Sequence, residues 1–126
     1  VAAAIATLGI MKREKVHEHI WSMGKLLMHY LDDMAREIGI EGKAVGLPPA
    51  PWLKFTTPDE EFNQRLVYLW QREMYREGIF ANIRWFLCYS HKQSDIQEAA
   101  DKALRALRHA LECEPKERDK AKPFYW

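Results

Sequence analysis

Among the residues of this sequence that could do chemistry, Arg84 stands out because it interrupts Ile79 to Tyr89, a run otherwise dense in β-branched and aromatic side chains. A guanidinium in apolar surroundings must find an anion or bear a large desolvation cost, and its planar fork matches a carboxylate bidentately. Two anions fit. An acid of a neighbouring helix would make the pair structural, whereas the carboxylate of a ligand would make Arg84 a substrate-binding residue. Pattern alone leaves both open.

The other reactive side chains read as structural. His17 and His19 flank Glu18, but residues two apart on a helix point about 200° from each other, so they share no metal ion and read as surface histidines. His29 falls near an apolar helix face and reads as packed and hydrogen-bonded. Ser90-His91 pairs a nucleophile type with a base type, yet adjacent residues rarely aim at each other and no acid orients the imidazole. Cys88, between Leu87 and Tyr89, reads as a buried thiol that burial would make inert. Trp52, Trp70, Trp85, Phe86 and Tyr89 lie at core spacings and read as packing. The six glycines are scattered, so no phosphate loop is present. Lys25, Lys43, Lys54 and Lys92 read as surface or strand-edge residues, none marked as a Schiff-base nucleophile. The residues by themselves therefore predict no catalytic, cofactor-binding or metal-binding set.

The elements that must position Arg84 follow from periodicity. Ala3, Ala6, Ile10, Val16, Ile20, Met23, Leu27, Tyr30, Leu31 and Met34 recur at three- and four-residue steps, which predicts one long helix to Ile38 with a break near Lys15. Gly39 and Gly42 end it. Ala44 to Leu47 and Trp52 to Thr56 read as two short strands joined by a stiff turn of Pro48, Pro49 and Pro51. Thr57-Pro58-Asp59-Glu60 signals a helix start with Thr57 as cap, and Phe62, Leu66, Leu69, Trp70 and Met74 form that helix's apolar face before Gly78 stops it. Ile83 to Tyr89 reads as a largely buried third strand. Ser94-Asp95-Ile96-Gln97 opens a last helix as a capping box, and Glu114 to Lys120 reads as a solvated charge run before an aromatic end, Phe124-Tyr125-Trp126. The order predicts an α+β fold, a small three-stranded sheet with about three helices packed on it and a long N-terminal helix.

Composition narrows the class. With 126 residues, 48% hydrophobic, the chain can bury one core without disulfides or a structural metal. A net charge of +1 leaves no electrostatic footprint for nucleic acid or an anionic membrane. No apolar stretch approaches bilayer length, and two unpatterned cysteines fit a reducing cytoplasm. The chain opens at Val1 inside an uncapped helical pattern, which predicts a piece of a longer protein.

Three segments carry a resemblance. Val1-Ala2-Ala3-Ala4-Ile5-Ala6-Thr7-Leu8 is similar to the alanine-rich helix of class III, fold type I, pyridoxal-phosphate (PLP) aminotransferases. Arg76-Glu77-Gly78-Ile79-Phe80 and then Phe86-Leu87-Cys88-Tyr89-Ser90-His91-Lys92-Gln93-Ser94-Asp95-Ile96 resemble that family's closing pattern, with Gly46-Leu47-Pro48-Pro49 and Trp52-Leu53-Lys54-Phe55 in order between them. The nearest subgroup is the glutamate-1-semialdehyde 2,1-aminomutase-like proteins. The resemblance implies the C-terminal small domain over residues 1–113, with 114–126 a charged and aromatic tail. It implies PLP bound by a parent enzyme whose lysine and phosphate turns lie in a missing large domain, a homodimeric parent, and a fragment inactive alone. It also implies a role for Arg84, which stands eleven residues before Asp95, at the family's interval for an arginine gripping the substrate carboxylate. Held so, an amino acid would present its α-amino group to the cofactor aldehyde. Ile83 occupies a position where the aminomutases carry an acid, which favours a transaminase over a mutase; Ser90 and Lys92 depart from the pattern without mechanistic weight. The reading from another class is a free-standing α+β interaction module that binds a partner protein through exposed aromatics.

Overall fold

The computed structural model describes residues 1–117. They form α1 (Ala2–Arg13), α2 (Val16–Ile38), β1 (Gly42–Leu47), β2 (Ala50–Phe55), α3 (Glu60–Arg76) and α4 (Gln93–Glu117). The expected break near Lys15 is real: Lys15 adopts φ 50°, a left-handed conformation that a residue with a Cβ rarely takes, and the chain turns there between α1 and α2. Gly39, at φ 74°, ends α2 with its N–H on the Arg36 carbonyl, while the Ile40 N–H reaches back to Ala35. α1 buries none of its residues, and Ile5 and Leu8 lie in solvent.

The core forms where α2, the strands, α3 and α4 present apolar faces to one another. Leu27, Leu31, Met34 and Ala35 of α2 are buried against Ala44, Leu53 and Phe55 of the strands. β1 and β2 pair antiparallel with Ala44 opposite Leu53, and the strand period of two turns Pro51, Leu53 and Phe55 inward while Lys54 faces out. Asp32 of α2 accepts the Ala44 N–H at 2.7 Å, which ties β1 to the helix. Along α4, Ile96, Ala100, Ala103, Ala106, Leu107 and Ala110 are buried, an alanine-rich seam that lets α3 and α2 come close. The indole N–H of Trp70 donates to the Ala103 carbonyl at 2.9 Å and fixes α3 on α4.

The sheet has two strands rather than the expected three. Residues 83–89 run alongside β2, and the N–H groups of Trp85 and Leu87 donate to the carbonyls of Pro51 and Pro49 at 2.9 and 3.0 Å. A ladder needs the return bonds, and proline has no N–H with which to make them. The segment is therefore half-paired, and it is not largely buried: Trp85 lies inside while Arg84, Phe86, Cys88 and Tyr89 face out.

Both later helices begin where the local hydrogen bonding is best. The cap of α3 is Asp59, whose carboxylate accepts the Phe62 N–H at 2.9 Å, while the expected cap Thr57 instead donates its hydroxyl to Asn63 at 2.6 Å. α4 starts ahead of Ser94, because Asp95 accepts the Lys92 N–H at 2.8 Å and makes Lys92 the cap. The helix also runs further than expected. Glu114, only 3% exposed, accepts from Arg65 Nε at 2.9 Å, and Glu117 receives Arg72 in a fork at 2.6 and 3.2 Å. Residues 114–117 thus continue the helix, with Glu114 buried and Glu117 engaged while Pro115 and Lys116 stay exposed; the rest of the expected tail, with Phe124-Tyr125-Trp126, lies outside the described residues.

Gly24 is where α2 presses on the proline turn. A Cβ there would meet the Pro48 carbonyl oxygen at 1.8 Å, a contact with backbone that no side-chain rotation relieves. Alanine in a helix gains about 1 kcal/mol over glycine, whereas overpacking typically costs roughly 1–3 kcal/mol. Gly24→Ala is therefore expected to lower stability by up to about 2 kcal/mol despite its better propensity, read as a lower urea midpoint with an unchanged slope.

Candidate functional site

The half-paired segment builds the site. Gly78, at φ 80°, closes α3, and the Ile79 N–H returns to the Met74 carbonyl at 2.9 Å, which sends the chain back toward β2. Trp85 then packs inward next to Trp70, ring centroids 6.5 Å apart, and Trp70 in turn meets Phe55 edge-on at 5.8 Å. With Trp85 anchored, its neighbours Arg84 and Phe86 point the other way. The guanidinium carbon of Arg84 sits 4.3 Å from the centre of the Trp52 ring. Among the described residues no carboxylate comes within ion-pair distance of Arg84.

Arg84 is thus exposed, contrary to the buried position that its apolar neighbours suggested, and the desolvation argument does not apply to it. The structural ion pair is not found among the described residues either. What holds the side chain is the face of Trp52, a contact worth about 0.5–1 kcal/mol at an exposed site, which leaves the guanidinium donors without a partner among the described residues. Arg84 borders an open concavity of about 540 Å³ that Trp85, Phe86, Phe80, His91 and Asp95 also line. Phe80 is 91% and Phe86 71% exposed, so apolar surface surrounds the free cation. Trp85 contributes an oddity: its buried indole N–H has no hydrogen-bond partner among the described residues.

Several side chains differ from their sequence readings. Phe86 and Tyr89 are surface residues, not core. His29 is exposed and pairs with Asp33 at 3.3 Å rather than packing inside. His19 is more than a surface histidine: its Nε2 donates to the His91 carbonyl at 2.8 Å and its ring meets Tyr89 edge-on at 5.2 Å, tying α2 to the segment that carries Arg84. Ser90 and His91 do not act on each other. The Cys88 N–H donates to His91 Nδ1 at 3.1 Å, and the Ser90 hydroxyl lies 3.1 Å from the Cys88 sulfur. Cys88 is exposed rather than buried, and the Ser90 hydroxyl, outweighing slight burial and aided by the backbone of Ser90 and His91, holds its thiol below the ordinary value.

A second cluster was missed. Glu73 of α3 is 2% exposed and receives Arg72 at 2.8 Å, Arg76 at 2.8 and 3.0 Å, and His109 of α4 at 2.9 Å. Sequence offered one sign of it, the four-residue spacing that puts His109 and Cys113 on one face of α4.

The described residues do not fit PLP. Lys25, Lys43, Lys54 and Lys92 are all exposed. A concavity of about 190 Å³ between β2 and α3 is lined by Lys54 together with Glu60 and offers a phosphate no further cation. No helix of the described residues is long and apolar enough to cross a membrane.

No protein-family model and no curated protein sequence matches this chain. Solved structures do. The FumI protein of Sphingopyxis sp. MTA144, in its PLP internal aldimine form, superposes on 97% of this chain with a TM-score of 0.79 and 26% identity. An omega-transaminase from Sphaerobacter thermophilus matches 75% of it with a TM-score of 0.68 and 15% identity. A transaminase with PLP bound matches 76% with a TM-score of 0.67 and 17% identity. This chain spans between 24% and 28% of the length of these proteins. Its α+β fold is the one that PLP-dependent transaminases carry over that minor part of their length.

The Glu73 cluster has a consequence for stability. Burial by itself would raise the carboxyl, but hydrogen bonds from Arg72, His109 and Arg76 outweigh it and hold the group below its usual value of 4.5. A depressed folded-state pKa contributes stability that is present above the unfolded value and lost as pH falls through the folded one. Unfolding free energy is therefore expected to drop as the solution is acidified below about pH 4.5, and Glu73→Gln should flatten that drop in urea titrations run across the acid range.

Proposed function

We propose that this chain is the C-terminal small domain of a class III PLP-dependent aminotransferase, related to the glutamate-1-semialdehyde aminomutase-like group, and that it supplies one wall of the substrate site. The observation that carries the reading is the free guanidinium of Arg84, held on Trp52 at the rim of an apolar concavity, in a fold that follows a PLP-bearing protein over 97% of this chain. Arg84 would grip the carboxylate of an amino acid or semialdehyde through two parallel hydrogen bonds. Fixing that end of the substrate orients its amino group, and orientation accounts for much of the rate gained. The cofactor and its lysine would belong to the remaining length of a longer, homodimeric cytoplasmic enzyme, and exposed Phe80 and Phe86 would pack against that part. Ile83 supports transamination over internal amino migration, since it stands where the mutases carry an acid.

The alternative of an interaction module without catalysis also accommodates exposed aromatics. The likeness to FumI over nearly the whole chain favours the enzyme.

Two outcomes are expected. Mixed with PLP, the 126-residue chain should show neither a stoichiometric Schiff-base absorbance nor transamination, and a lysine of this chain that took up the cofactor would remove the reading. In the longer enzyme, Arg84→Met should cut kcat/KM for an amino acid donor roughly 10- to 100-fold, the worth of hydrogen bonds to a charged group. The same variant should act normally on an amine that has no carboxylate; an equal loss on both donors would mean that Arg84 does not recognise the carboxylate.

A further inference from the structure

Away from Arg84, α3 and α4 bring Glu73, His109 and Cys113 together, one donor atom of each lying within 4.8 Å of the others. We propose that these three side chains bind one divalent transition-metal ion that accepts sulfur, nitrogen and oxygen, with zinc the best match. The donor set suits zinc, which takes thiolate, imidazole and carboxylate in tetrahedral arrangement and dispenses with ligand-field preferences. Donors around one zinc lie roughly 3.5 Å apart, so the trio has to contract by about 1 Å. Side-chain torsions of His109 and Cys113 supply that much, because His109 is exposed and Cys113 is a half-buried free thiol.

The arrangement is built in three respects. His109 and Cys113 stand four apart on one face of α4, the spacing at which two helical side chains reach a common point. Glu73 comes from the opposite helix and is already oriented, since Arg72 at 2.8 Å and Arg76 at 2.8 and 3.0 Å fix its carboxylate as outer hydrogen bonds fix a metal ligand. The two arginines would repel a cation if their charge were free. Arg72 is offset by Glu117, onto which it forks at 2.6 and 3.2 Å; Arg76 shares Glu73 with the ion, and the Cys113 thiolate adds the negative charge that offsets this sharing. The ion takes the place of the His109 Nδ1 proton in the 2.9 Å contact with Glu73, that proton moving to His109 Nε2 as the ring changes tautomer, and the Cys113 proton leaves to solvent. Three protein ligands and an exposed histidine leave the fourth position to water.

The test uses the full 126-residue chain, stripped with a chelator, then titrated with zinc chloride by calorimetry and with cobalt(II) by absorbance. The expected result is one ion per chain and a thiolate-to-cobalt charge-transfer band that Cys113→Ser abolishes and Cys88→Ser keeps. His109→Ala and Cys113→Ser should each weaken zinc at least about tenfold, while His17→Ala leaves it unchanged. The proposal is overturned if the unmodified chain shows no charge-transfer band, if the band persists in Cys113→Ser, or if His109→Ala binds as tightly as the unmodified chain. The first of these needs no variant, so a misfolded substitution cannot obscure the answer.

Discussion

Proline nitrogen carries no hydrogen, and at Pro49 and Pro51 that lack governs how the segment carrying Arg84 lies. Pro51 of β2 and Pro49 of the turn before it offer their outer neighbour two carbonyls, which Trp85 and Leu87 use, and no donors in return. The segment after α3 is therefore pinned at two points and otherwise irregular. Because pinning falls on alternate residues, one side chain set goes to the core and the other to the surface. Trp85 takes the first direction and Arg84 the second. A fully laddered third strand could have kept the same alternation, but only a proline-edged partner stops the pairing at two bonds.

The rest of the molecule holds that edge in position. α2 lies against the Pro48 turn closely enough that Gly24 has no room for a methyl group, and Asp32 clamps β1 from the same helix. α3 and α4 close the other side through an alanine-rich seam and the Trp70 indole bond. Around this core runs a set of ionic contacts of unequal weight. The buried Arg65–Glu114 pair and the fully engaged Glu73 join α3 to α4 where water is scarce, and losing one partner of such a pair leaves an uncompensated charge. Surface pairs such as Arg36 with Asp33 or Arg108 with Glu37 are worth little by comparison.

Chemically, the two places of interest obey opposite rules. Among the described residues Arg84 is a cation left without an anion, set on an aromatic face, and its donors suit a carboxylate arriving from outside. Glu73 is an anion surrounded by donors, and any function there must begin by exchanging one of them. The first has an exposed apolar rim that calls for a covering partner; the second is complete within two helices.

Much of the fold was legible in one dimension. Apolar residues three and four apart fixed α2, α3 and α4, with the break near Lys15, because the helical period is local, and the Gly39 stop and the two strands around the prolines followed from backbone preferences of single residues. What stayed hidden depended on partners distant in sequence. Whether residues 83–89 form a strand was decided by the missing donors of a neighbouring strand, whether Cys88 is buried by which face Trp85 claimed, and whether Glu114 is solvated by the arrival of Arg65 from another helix. Arg84 could be singled out from its apolar neighbours, but its exposure and its seat on Trp52 came only with the three-dimensional packing. Periodicity records what a residue prefers; burial and pairing record what the rest of the chain brings to it.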